Sequence, residues 1–195
     1  MTQPRCYVIT HKTSLVVQDA YKSLTKYNWT FEKFDAVDGK KITQQDWDKI
    51  GVKMSPTAGK LPVRPGAQGC WFSHFSLWER CTKINEPIII MEHDIVVNGV
   101  WPTGIDIETC IVKLYTTADC KEKKEYGIWS KGSHAYTLTP HQAEKLLNRA
   151  RTFGASPVDK HIISNIIPWK FLGYNLVTLN PGRGNSSTSG IIKNE

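Results

Sequence analysis

Long apolar runs are missing from this 195-residue chain, and no stretch approaches the roughly 20 residues that span a bilayer. The opening residues, Met1-Thr2-Gln3-Pro4-Arg5, carry no signal-like apolar region and lead straight into a predicted strand, so the expectation is a cytoplasmic protein without a transmembrane segment. Cysteine is scarce and scattered. Its five copies, Cys6, Cys70, Cys81, Cys110 and Cys120, are odd in number and lack C-x-x-C spacing, so neither a zinc site nor a disulfide framework is indicated and reduced thiols are expected. Internal repeats and domain linkers are absent too. With 40% hydrophobic residues, a chain of this length sustains one domain with a real core, burying roughly 70% of its unfolded surface. Charge is not strongly one-sided: 25 Lys and Arg against 18 Asp and Glu give a net +7. That sign favours an anionic partner without choosing among nucleic acid, a membrane surface and a diphosphate. The densest basic clusters, Lys40-Lys41 and Lys121-Glu122-Lys123-Lys124, read as solvated loops.

What the chain does have is concentrated in Gly69-Cys70-Trp71-Phe72-Ser73-His74-Phe75-Ser76-Leu77-Trp78-Glu79-Arg80 and Pro87-Ile88-Ile89-Ile90-Met91-Glu92-His93-Asp94. Four consecutive apolar residues, Ile88 to Met91, predict a buried strand of a mostly parallel sheet, because a strand covered on both faces loses its alternation. Glu92 and Asp94 then fall at its carboxyl end, the edge at which open α/β sheets bind ligands. Two hard oxygen donors there suit Mn²⁺ or Mg²⁺ carrying a diphosphate. The combination has the logic of a nucleotide-sugar site.

The rest of the chain reads as alternating strands and helices. Residues 6–10 form a strand, Ser14 is the predicted N-cap of a helix reaching about residue 26, and Leu15, Val16, Ala20 and Leu24 supply its apolar positions. A second strand over 29–34 completes a β-α-β opening, with Asp38 in the following turn on the same rim as Glu92. Thr43 with Asp46 resembles an acidic capping box opening a short helix to about residue 50, and residues 51–66 form a loop. A helix from 67 to about 83 aligns Cys70, His74, Leu77 or Trp78, and Cys81 on one face. On pattern alone His74 is as readily a satisfied core histidine as a ligand, while Trp71, Phe72, Phe75 and Trp78 read as packing. Short strands are expected over 109–115, 127–129 and 133–138. Thr139, Pro140 and Gln142 start a helix that Gly154 ends. Ser156-Pro157-Val158-Asp159 repeats the device. Asp159 therefore has a structural reading, a first-turn carboxylate worth roughly 0.3–1 kcal/mol, beside a catalytic one. The last strand covers 172–179, and 180–195 is a flexible tail or lid.

Four blocks in order, Tyr7-Val8-Ile9-Thr10 with Phe34-Asp35-Ala36-Val37-Asp38-Gly39, the Gly69 to Arg80 helix with Glu92-His93-Asp94, Gly132-Ser133-His134-Ala135-Tyr136 with Ala143-Glu144-Lys145-Leu146-Leu147, and Pro157-Val158-Asp159, resemble glycosyltransferase family 25. That group includes lipooligosaccharide and collagen sugar transferases. The family usually shows Glu-Asp-Asp where this chain has Glu92-His93-Asp94. The resemblance implies an α/β, GT-A-like single domain over 1–179, in which a Rossmann-type nucleotide-binding half carries a mixed sheet. It also implies a metal-assisted, inverting displacement from a nucleotide-sugar donor, a UDP-sugar, to an acceptor hydroxyl in lipopolysaccharide biosynthesis. Glu92 and Asp94 would hold Mn²⁺ or Mg²⁺, and Asp159 would be the general base. Thr10 and Asp38 would contact the nucleoside, Ser73 and His74 would serve donor binding, and His134 would be a third metal ligand or a sugar contact. Apart from the resemblance, the imidazole of His93 is open to ligating the ion, and Gly182, Gly184 and Gly190 give the tail hinge freedom with which Arg183 and Lys193 would close near the diphosphate. Two other classes remain: a transferase acting on hydroxyls of modified DNA bases, and a non-catalytic module binding sugar nucleotides or nucleic acid.

Overall fold

A mixed six-stranded sheet organises the chain in a computed structural model that describes residues 2–55, 61, 64–115, 132–162 and 166–182. In chain order the elements are β1 (Arg5–Thr10), α1 (Val17–Lys26), β2 (Phe31–Asp35), a 3₁₀ turn (Gly39–Lys41), α2 (Gln44–Ile50), α3 (Pro65–Ile84) and β3 (Ile88–Glu92). There follow β4 (Ile95–Val97), β5 (Ile111–Lys113), β6 (Ala135–Leu138), α4 (Pro140–Phe153), α5 (Val158–His161), β7 (Trp169–Phe171) and β8 (Val177–Leu179). The sheet order is β2-β1-β3-β6-β5-β7, with β4 and β8 forming a separate antiparallel ribbon. β1 is parallel to β2 and β3, β6 is antiparallel to β3 and β5, and β5 is parallel to β7. β6 therefore enters the sheet at the rim where β3 leaves it. The α/β class and mixed sheet agree with the expectation.

Period-two alternation divides the sheet between two cores. Tyr7, Ile9, Ile88, Ile90, Ile111, Tyr136 and Leu138 pack with residues of α3, α4 and α5. On the other side, Cys6, Val8, Ile89, Met91, Val112 and Ala135 pack with Ala20 and Leu24 of α1 and with Ile95, Val97 and Val177 of the ribbon. β3 is apolar on both faces until Glu92, which the alternation turns toward α3.

α3 has Pro65 in its first turn and stops at Asn85, whose φ of 53° is left-handed. Its first turns press on the chain that follows β2. A Cβ on Gly39 would collide with Pro65 O, and one on Gly69 with Val37 O. Ser73 fastens this approach: its Oγ donates to Gly69 O at 2.7 Å and accepts from the Val37 N–H at 2.9 Å. α4 opens with the expected capping box, Thr139 N–H to Gln142 Oε1 at 3.0 Å and Gln142 N–H to Thr139 Oγ1 at 3.3 Å.

Several expectations are corrected. Ser14 does not cap α1, which starts at Val17 after Val16 with no side-chain cap, and Leu15 is 95% exposed. The hydroxyl of Ser14 is instead engaged with His93. α5 likewise follows Pro157 without a side-chain cap, because Ser156 Oγ faces His161 Nδ1 at 3.4 Å. The strand read over 172–179 contracts to Val177–Leu179, and that over 109–115 to Ile111–Lys113. β4 and β7 were not anticipated. The strand expected over 127–129, and the tail from 183 onward with Arg183 and Lys193, lie outside the described residues. No helix among the described residues is long and apolar enough to cross a membrane.

Candidate functional site

Glu92, the last residue of β3, is the hub of the rim. Its N–H donates to His134 O at 2.8 Å, which sets the two residues opposite each other across the antiparallel β3–β6 pair. Its Oε1 accepts from Ser133 Oγ at 2.8 Å and lies 3.5 Å from His74 Nε2, while Oε2 lies 3.2 Å from His134 Nδ1. Burial acts to raise the Glu92 pKa, but the charge and hydrogen bond of His134, joined by the hydrogen bond of His74, outweigh it. The carboxyl is held well below the usual range. Ser133 is absent from the predicted set. The only signal for it was its place in the Gly132-Ser133-His134 block.

Asp94 follows one turn later and is 6% exposed, with Oδ1 at 3.8 Å from His134 Nδ1. Asn180, where the predicted tail begins, is buried and donates its N–H to Asp94 O at 2.8 Å. Among the described residues, two sets of ligand atoms lie within 4.8 Å of one another: Glu92, Asp94 and His134, and Cys70, His74 and Glu92. The first offers two carboxylates and one imidazole, a donor set that fits Mn²⁺ or Mg²⁺. In the second, burial pushes the Cys70 thiol well above its usual pKa, helped by the charges of Glu92, Asp159 and Asp94, so the thiol keeps its proton.

His74 is fully buried on α3, with Nδ1 at 2.9 Å from Tyr136 Oη, to which Trp78 Nε1–H also donates at 2.9 Å. Ser73 is fully buried as well. Thr10, at the end of β1, pairs with Asp35 in register and shares a 2.7 Å hydrogen bond with Tyr21 Oη. Asp38 is exposed and caps the 3₁₀ turn, accepting from the Lys40 N–H at 3.0 Å. His93 turns to the loop between β1 and α1, where its Nδ1 meets Ser14 Oγ at 2.8 Å. Burial lowers its pKa against the pull of Asp94 and Glu92.

Asp159 sits in the first turn of α5. Its Oδ1 accepts from the Lys160 N–H at 2.9 Å and its Oδ2 from the Gly132 N–H at 3.4 Å, two residues before His134. Lys113, at the end of β5, is fully buried, donates to Gly132 O at 3.1 Å and lies 5.2 Å from the Trp169 ring centroid. A single lysine in a strand gave no sequence signal for this role at the rim. The structure thus gathers Glu92, Asp94, His134 and His74 closely, and sets Asp159 against the backbone that leads into His134.

The sequence profile of glycosyltransferase family 25 (LPS biosynthesis protein) matches residues 6–113, a span that includes Glu92 and Asp94 and ends before His134 and Asp159. A glycosyltransferase 25 family member of Anopheles gambiae is 33% identical over 157 residues, covering 67% of this chain and 26% of that protein. Procollagen galactosyltransferase 1-B of Xenopus laevis is 30% identical over 80 residues, covering 38% of this chain and 13% of that protein. The chain thus spans about a quarter of the first relative's length and less of the second's. The solved glycosyltransferase GlyE of Streptococcus pneumoniae aligns with a TM-score of 0.47 at 10% identity, covering 89% of this chain and 46% of that one.

Proposed function

This chain belongs to glycosyltransferase family 25, and from that membership we propose that it moves a sugar from a nucleotide-sugar donor to an acceptor hydroxyl. The observation that carries the reading is the convergence of Glu92, Asp94 and His134 at the carboxyl rim of the sheet, with ligand atoms within 4.8 Å of one another. Mn²⁺ or Mg²⁺ held by these three would act as a Lewis acid that offsets charge on the departing diphosphate. The GT-A-like frame, a parallel β2-β1-β3 half with its ligand residues at the carboxyl edge, supports the same reading.

The chain's own residues account for the other tasks. Thr10 ends β1, the parallel neighbour of β3, Asp38 lies in the turn that follows β2, and the two contact the nucleoside of a UDP-sugar. Ser73 and His74 are buried and serve the donor from beneath, Ser73 by fixing the loop that carries Asp38 and His74 through Glu92. Asp159 takes the proton of the acceptor hydroxyl in a single inverting displacement, and its position beside Gly132 keeps it near His134. Lys113 adds a buried cation to the rim. The acceptor is a glycan, in keeping with a cytoplasmic role in lipopolysaccharide biosynthesis. A DNA-base acceptor or a non-catalytic module rests on net charge and on His93, and neither gains a residue from the geometry.

A screen of nucleotide sugars and acceptors, read by mass spectrometry with and without Mn²⁺, tests the assignment. Asp94→Asn removes a charge at nearly constant volume and should abolish metal-dependent donor binding while the fold persists. Unchanged donor affinity and turnover in that variant would overturn it.

A further inference from the structure

We propose that His74 positions Glu92, and that Trp78 and Tyr136 dictate the tautomer with which it does so; the proposal rests on the reading of Glu92 as a metal ligand. The argument is one of hydrogen-bond polarity. An indole N–H can only donate, so the 2.9 Å contact from Trp78 Nε1 occupies a lone pair of Tyr136 Oη. Tyr136, Trp78 and His74 are all 0% exposed, which keeps water from accepting the phenolic proton. His74 Nδ1, at 2.9 Å, is the acceptor within reach. A buried hydroxyl left without an acceptor forfeits the hydrogen bond it made to water in the unfolded chain. The Tyr136 proton therefore goes to Nδ1, and the His74 proton resides on Nε2.

That Nε2–H aims at Glu92 Oε1 across 3.5 Å and makes no hydrogen bond elsewhere among the described residues. The reversed tautomer would set a bare nitrogen lone pair against a carboxylate. The donors consequently run one way, from Trp78 to Tyr136 to His74 to Glu92, and lead from the core to the rim. With Ser133 Oγ donating to the same oxygen at 2.8 Å, Oε1 is held from two sides and Oε2 is left beside His134 Nδ1. Partners of this kind behind a metal ligand fix its orientation, and their loss costs about 10–100-fold in metal affinity.

Two measurements test this. Nitrogen-15 NMR of the metal-free protein should show His74 protonated on Nε2, and Tyr136→Phe should change that tautomer balance. Calorimetric Mn²⁺ titration should show Tyr136→Phe and His74→Leu weakened by about 10–100-fold, while His74→Gln, which retains an N–H donor near the Nε2 position, recovers most of the loss. Protonation on Nδ1 in the wild-type chain overturns the proposal. So does wild-type Mn²⁺ affinity in both Tyr136→Phe and His74→Leu. A wild-type chain that binds no Mn²⁺ sinks the metal reading instead, and the NMR tautomer then decides whether the donor chain runs as proposed.

Discussion

His93 stands between the two carboxylates in sequence, yet its ring leaves them for Ser14, with Nδ1 at 2.8 Å from the hydroxyl and the ring centroid 6.2 Å from that of His11. An acidic residue in its place would add nothing to the ligand set, because the side chain at this position faces the loop between β1 and α1. His93→Asp is accordingly expected to keep Mn²⁺ affinity near the wild-type value in a calorimetric titration, and a marked tightening would show that position 93 reaches the ion. Asp159 poses the other residue-level question. Both its oxygens already accept backbone N–H groups, so a helix-terminal role is satisfied whatever its chemistry. If it is the general base, Asp159→Asn should cut turnover by roughly 10²–10⁴-fold with donor affinity little altered. The helix-terminal role alone predicts at most about 1 kcal/mol of lost stability and a wild-type rate. Turnover and urea unfolding measured on one preparation separate the two.

Among the elements, α3 matters most to the site, since it carries Ser73, His74 and Trp78 and is fastened at its start to the chain after β2. Gly39 lies so close to Pro65 that an added Cβ meets backbone rather than a movable side chain. Gly39→Ala should therefore cost about 1–3 kcal/mol or more in urea unfolding and weaken donor binding as the Asp38 loop shifts. A variant as stable as wild type would mean that the contact relaxes freely. Elements with strong local signals were legible in the sequence: β3 from its unbroken apolar run, α3 from its helical spacing, α4 from its capping box. β4 and β7 were not, because three residues are too few to display a period. The start of α1 was misplaced because tertiary contact recruited Ser14, the best local cap. At the site, Glu92 and Asp94 were readable from strand position. The links to Ser133, and from Trp78 through Tyr136 to His74, depend on the antiparallel entry of β6, a direction that no local pattern encodes.

For the molecule as a whole, α3, α4 and α5, packed on one face of the sheet, share a buried titratable group, and this makes global stability depend on pH. His161 of α5 stacks on Trp78 of α3 at 5.3 Å and 15°, donates from Nε2 to Leu146 O of α4 at 3.0 Å, and is 0% exposed. Burial lowers its pKa from 6.5 to about 4, although the Leu146 hydrogen bond resists. Between those values the unfolded chain binds a proton at this site that the folded chain refuses. Stability therefore falls as pH drops through the window. The contribution is complete above pH 6.5 and gone once pH passes below about 4. At about 1.4 kcal/mol per pKa unit it amounts to roughly 3 kcal/mol. His161→Gln lacks the titrating group, so its stability deficit relative to wild type should be largest at neutral pH and shrink by that amount toward pH 4. Urea unfolding of both proteins across this range is the measurement. A deficit that stays constant with pH would mean that the imidazole titrates alike in the folded and unfolded chains, and that the three-helix contact is not what keeps it neutral.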